Sequence, residues 1–140
     1  MDLLTHVGFA LVYAVAGLAV LGVGYAALDL LTPGHLGSHI WRERSVNAAI
    51  VLASGFLGLG AVVFTAIWTN GSSSFGVALG WTVVFGLLGV LLQAAAFRLL
   101  DAVTPGDMAA LVCEREFHPA SVVAASVQLA ASLVVVASIA

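Results

Sequence analysis

The chain has 140 residues, 62% hydrophobic and 8% charged, with a net charge of −3. Soluble domains average about 45–50% apolar and about 25% charged residues, so this composition excludes a water-soluble globule, which needs a charged outer surface. The acidic balance excludes a nucleic-acid binder, which needs a basic face.

Residues 3–28 carry no Asp, Glu, Lys or Arg, and neither do residues 45–97 or 117–140. A hydrocarbon core of about 30 Å takes about 20 apolar residues as helix. The period-two alternation of a membrane barrel is missing, so helices are expected. The first span is predicted from about residue 4 to about 28. It opens on Asp2, not on a basic stretch, and outruns a signal core, so it is expected to stay in the protein. The second span is predicted from about 46 to about 68, the third from about 75 to about 100, and the fourth from about 119 to about 139. An uncharged turn, TNGSSS, joins the second and third.

The first span ends in DLLTPG at 29–34 and the third in DAVTPG at 101–106, the same Asp-x-x-Thr-Pro-Gly pattern 72 residues apart. The same offset places Gly8 on Gly80, Gly17 on Gly89, Ala53-Ser54 on Ala125-Ser126, and Tyr25 on Phe97. The expected fold class is therefore all-α integral membrane. Four transmembrane helices form two parallel two-span repeats, 1–70 and 71–140, each with a short interfacial amphipathic helix.

The basic residues are Arg42, Arg44, Arg98 and Arg115, all on one side of this topology. By the positive-inside rule that side is cytoplasmic, so both termini and the serine turn face outward. Both Thr-Pro-Gly corners then mark cytoplasmic exits. Thr32 and Thr104 are predicted to cap the short helices, with Pro33 and Pro105 at the first helical position. Gly34 and Gly106 follow, and Asp107 is read as a shortened capping box. Leu36 and Ile40, and Met108, Leu111 and Val112, fall at helical spacing.

The string LDLLTPG…I…ER.VNAAIVLAS…LG, with its degraded second copy, resembles the domain-of-unknown-function 350 family, also called uncharacterised protein family 0719. The resemblance covers nearly the whole chain and is strongest from Leu28 to Leu59. It departs where the first copy has Asn47 and the second has Pro119, preceded by His118. The resemblance implies a bacterial multi-pass protein in the inner membrane. It also implies an envelope-associated partner, of phage-shock, ATP-grasp or polyamine-modifying type.

Several side chains are candidates for a role. His35 and His39, four apart, would share a helical face as two metal ligands can, with Asp29 or Glu43 as a third. The second copy offers Asp107 and Leu111 there, so no metal or other cofactor is assigned, and the histidines are read as meeting lipid head groups. Asp29 and Asp101 end their spans, either as membrane acids on an ion path or as structural groups that hold the corner or pair with Arg98. Cys113 is the single cysteine, an interfacial thiol or an acylation site. Gly76-x-x-x-Gly80 and Ser54-x-x-x-Gly58 permit close helix approach. The run RER at 42–44 falls on ERE at 114–116 with every sign reversed, so the copies can pair there or stay solvated. Gln93 and Gln128, the only glutamines, are predicted to face each other, with Leu21 and Phe56 packed at the equivalent place. The competing reading has each amide meeting a backbone carbonyl or water.

No Ser-His, Cys-His or clustered carboxylate set is legible, so no catalysis is assigned. The expected function is a docking or scaffolding subunit for an envelope-associated partner. The alternative is a subunit of an oligomeric ion channel or small-solute transporter. The expected partners are membrane lipids and either a second copy of the chain or a membrane-associated protein.

Overall fold

The computed structural model describes residues 2–140, and among them every regular element is a helix. They are α1 (Leu3–Leu31), α2 (Leu36–Trp41), α3 (Val46–Thr69), α4 (Phe75–Val103), α5 (Met108–Cys113) and α6 (Ala120–Ile139). The four longer ones are each long and apolar enough to cross a membrane. Helices α4 and α5 begin and end 72 residues after α1 and α2.

The spans run close to their predicted bounds, with one systematic difference. Helices α1 and α4 continue past Asp29 and Asp101 to Leu31 and Val103. A carboxylate in the last turn does not stop a helix whose backbone bonds are already closed behind it. The 29 residues of α1 measure about 43 Å at 1.5 Å per residue, more than a hydrocarbon core of about 30 Å.

Helix α3 is the centre of the bundle and packs on α6, α4 and α1. Apolar contact drives little between helices in lipid, so close approach and interhelical hydrogen bonds must carry the assembly. The half of the core beside the short helices gathers Leu28, Leu36, Val51, Phe97, Val112 and Ala124. The other half gathers Val20, Leu59, Val63 and Val90. Between them, Gly58 of α3 lets two neighbours come in close. A Cβ there would collide with Ser132 Oγ and Gln93 Nε2. Ser54-x-x-x-Gly58 thus seats helices within the chain. Gly76 and Gly80 meet nothing and are exposed.

The short helices α2 and α5 turn their apolar side chains into the bundle. Leu36, Met108 and Val112 are buried, and Ile40 packs against the cluster they join. At the opposite end, Phe9 stacks on Phe75 at 4.1 Å between ring centres, and Tyr13 meets Phe75 edge-on. These rings border a cavity of about 600 Å³ between α1, the end of α3 and the start of α4.

Candidate functional site

The two Asp-x-x-Thr-Pro-Gly segments build the same corner. Thr32 Oγ1 donates to Leu28 O at 3.0 Å, and Thr104 Oγ1 donates to Leu100 O at 2.7 Å. Their backbone N–H groups donate to the same two carbonyls. Both threonines therefore close the end of the preceding span. This corrects the expectation that they open the short helices. Pro33 and Pro105 are likewise not first helical residues, because α2 and α5 start three positions later. Gly34 (φ 78°) and Gly106 (φ 117°) turn the chain in the left-handed region that glycine tolerates. The aspartates then reach forward. Asp29 Oδ1 accepts the N–H of Leu36 at 2.6 Å, and Asp101 Oδ1 accepts those of Met108 at 2.8 Å and Ala109 at 3.3 Å. The corner is capped from the helix before it. Asp107 is itself the N-cap of α5 and accepts the N–H of Ala110 at 3.0 Å, so it is not the far member of a capping box.

An open groove of about 450 Å³ lies between the corners. Leu30, Leu31 and Thr32 line one side, and Arg98, Asp101 and Asp107 the other. Arg98 does not pair with either aspartate. The ion pairs among the described residues involve histidine alone.

The connections that follow the corners are stitched together. Asn47 is fully buried at the start of α3. Its Nδ2 donates to Glu114 O at 3.0 Å and Glu116 O at 2.7 Å, and its Oδ1 accepts the N–H of His118 at 2.8 Å. Ser45, the N-cap of α3, donates to Glu114 O at 2.7 Å and lies 3.1 Å from Val112 O, while its oxygen accepts the N–H of Ala48. Two side chains of the first connection thus bind the backbone of the second. In the reverse direction the described residues show only the longer contact of Cys113 Sγ with Pro33 O at 3.6 Å. Phe117 and Pro119, 72 positions on, have no polar side-chain atoms, and both are exposed. The sequence reading named Asn47 and missed Ser45. A serine just ahead of an apolar run is an N-cap signal that could have found it.

The RER and ERE runs meet through that backbone, not through their charges. Residues 42–44 and 114–116 are exposed, and no arginine–carboxylate pair forms among the described residues. Arg44 sits at φ 56°, a costly conformation for a residue with a Cβ.

Deeper in the bundle, Gln93 and Gln128 are both buried, yet no hydrogen bond joins their side chains. Gln93 Nε2 donates to Gly55 O at 3.2 Å and to Ser132 Oγ at 2.7 Å. Ser54 Oγ lies 3.3 Å from Gln128 Oε1. Gln128 Nε2 has no hydrogen-bond partner among the described residues. Both amides converge beside Gly55, where an added Cβ would lie 2.9 Å from Gln128 Oε1 and 3.6 Å from Gln93 Oε1, but the expected direct bond is replaced by the competing arrangement, in which each amide meets its own partner. Helix α3 runs through the centre and offers Gly55 O where a facing amide was expected. Phe56 is 37% exposed, so it does not mirror Gln128 as a buried contact. Ser132 was missed, and nothing in its sequence context marks it.

His39 lies between Glu43 Oε2 and Pro33 O, each at 2.8 Å. A carbonyl and an ionised carboxylate both accept, so the doubly protonated ring is the form that satisfies both contacts. The hydrogen bond to Glu43, then that to Pro33, raises the His39 pKa above its ordinary value. His35 Nδ1 is 3.7 Å from Asp29 Oδ2. No group of three or more His, Cys, Asp or Glu side chains gathers as a metal site among the described residues. Cys113 contacts Pro33 O at 3.6 Å and Ala109 O at 3.4 Å, and burial pushes its thiol pKa up.

Residues 2–139 match the model of the family described as Domain of Unknown Function (DUF350). The chain belongs to the DUF350 family. A UPF0719 transmembrane protein of Mycolicibacterium paratuberculosis (strain ATCC BAA-968 / K-10) is 36% identical over 129 residues, covering 92% of this chain and 85% of the relative. A UPF0719 transmembrane protein of Mycobacterium bovis is 30% identical over 127 residues, covering 91% and 83%. No solved structure matches the chain. This DUF350 protein is thus a multi-pass membrane protein with bacterial relatives, and nothing in its site or its relatives points to catalysis.

Proposed function

We propose that this protein is a non-enzymatic module of the bacterial inner membrane that docks an envelope-associated partner on its arginine-bearing face. The observation that carries this reading is the stitching of the two connections by Ser45 and Asn47. It joins α2, α5 and both charged runs into one preorganised surface, and a rigid surface binds at a lower entropic cost. The opposite ends of the spans are joined by a short uncharged turn, which offers far less to recognise. All four arginines lie toward the stitched face, which supports placing it in the cytoplasm, with both termini outside.

The membrane-edge acids favour docking over conduction, because Asp29 and Asp101 are engaged as helix caps. The void beside Gln93 is about 10 Å³, room for about one water. A path for ions would therefore have to run between copies of the chain.

In-cell photo-crosslinking tests the reading. A crosslinker at position 42 or 115 should capture one defined partner, either a second copy or another protein, while one at position 72 captures none. Asn47→Ala should reduce capture without altering topology reporters in the outer turn. Capture from the outer turn alone, or cation flux through the purified protein in liposomes, would overturn it.

A further inference from the structure

The groove between the two corners holds opposite charges that do not satisfy each other. Arg98 and Asp101 are three apart on α4, a spacing at which such charges commonly meet. Yet the guanidinium stays more than 4.0 Å from every carboxylate among the described residues, and it makes no hydrogen bond there. Asp101 and Asp107 each use Oδ1 on backbone N–H groups, and no bond among those residues reaches either Oδ2. The groove is about 450 Å³ and open, and Leu30 beside it is 87% exposed. It lies where α1 and α4 end, the level at which apolar span gives way to polar chain.

The lining narrows the choice of occupant. A bare metal cation would meet Arg98, and a bare phosphate would meet two carboxylates. A ligand carrying one anionic and one cationic group matches both. We propose that this groove is a binding site for an aminophospholipid. Its phosphodiester is held by Arg98, its primary ammonium lies between Asp101 and Asp107, and its acyl chains lie along Leu30 and Leu31. Guanidinium–phosphate contacts are strong charge-assisted bonds. A primary ammonium brings three donors to the two free carboxylate oxygens. A choline headgroup has no such donor, and a glycerol headgroup has no positive charge. The site does not depend on the docking reading, nor on which leaflet the groove faces.

Native mass spectrometry of the full chain in mild detergent tests this. Phosphatidylethanolamine, phosphatidylcholine and phosphatidylglycerol with the same acyl chains are titrated in turn. The ethanolamine lipid should be retained several-fold better than the other two. Arg98→Gln should lower that retention about tenfold, as expected for loss of one charge-assisted contact. Asp107→Asn keeps a good helix cap but removes the charge, so it should erase the preference for ethanolamine over choline. Arg115→Gln, outside the groove, should leave both unchanged. Equal retention of the three lipids, a preference for phosphatidylglycerol, or insensitivity to both groove variants would overturn the site. Displacement by soluble O-phosphoethanolamine at comparable concentration would assign the groove to a free solute and overturn the lipid.

Discussion

The two corners and the two connections that leave them behave differently. In each corner the Thr hydroxyl closes the helix behind it, the Asp Oδ1 accepts the N–H seven residues ahead, and Gly turns the chain at positive φ. Beyond the corners the symmetry ends. The first connection enters α3 through Ser45 and Asn47, which bind across to the other connection. The second enters α6 through His118 and Pro119 and caps itself, with Ala120 N–H donating to His118 Nδ1 and Ser121 Oγ to His118 O. A device whose partners lie within eight residues can be written twice and work twice. A cross-link between connections is made once for both, so the second connection is free to differ.

The largest expected effect breaks that cross-link. Asn47→Ala removes three hydrogen bonds at a fully buried position; Glu116 O and the His118 N–H lose their partner, while Glu114 O keeps Ser45 Oγ. It should cost about 3 kcal/mol, read as a shift in reversible unfolding in detergent micelles. Pro119→Ala, the corresponding position, is exposed and should stay within about 0.5 kcal/mol. Equal losses at both positions would mean that the stitching is reciprocal after all.

The corners should respond alike. Asp29→Ala and Asp101→Ala should each cost about 1 kcal/mol, the usual value of a helix cap. Each should also speed hydrogen exchange at its own amide, Leu36 or Met108. A large effect at one corner alone would sink their equivalence.

The buried amides should differ in sign. Gln93→Leu loses bonds to Gly55 and Ser132 and should cost about 0.6–1.7 kcal/mol. Gln128→Leu gives up the contact from Ser54 but also removes an unpartnered N–H group, so it should be near neutral or stabilising. A larger loss at Gln128 would show that its Nε2 has a partner, such as a bound water.

The smallest effect is pH dependence confined to the first corner. The position 72 residues after His39 is Leu111, which does not titrate. The folded protein holds the His39 proton more tightly than the unfolded chain does. Its stabilisation is therefore full below about pH 6.5 and lost as pH rises through the raised folded value. Unfolding measured across that window should show a slope that His39→Gln removes. The His39 imidazole resonances should titrate above the ordinary histidine value.

Much of the fold was legible because lipid imposes a simple rule. Unbroken apolar runs must be helical, and charge must collect at their ends. That placed the starts of α3 and α4 at residues 46 and 75, where they are found. The twin motif also announced two like corners. It could not show that each threonine looks backward, because a hydroxyl there can serve the helix behind or the one ahead. Only the turn at glycine and the forward reach of aspartate settled that direction.

Which face of each span turns inward was decided by tertiary structure alone. These helices are apolar nearly all round, so no polar stripe marks an outside. Ser54 and Ser126 align in the sequence, yet Ser54 is buried and Ser126 exposed. Gln93 finds a carbonyl on α3 and a hydroxyl on α6 because the central helix approaches through Gly55 and Gly58. Sequence by itself determined what had to be helix and where the chain must turn, since both follow from local chemistry and the solvent. Partnership across the bundle depends on rotation and approach of whole helices, which only the packed structure sets.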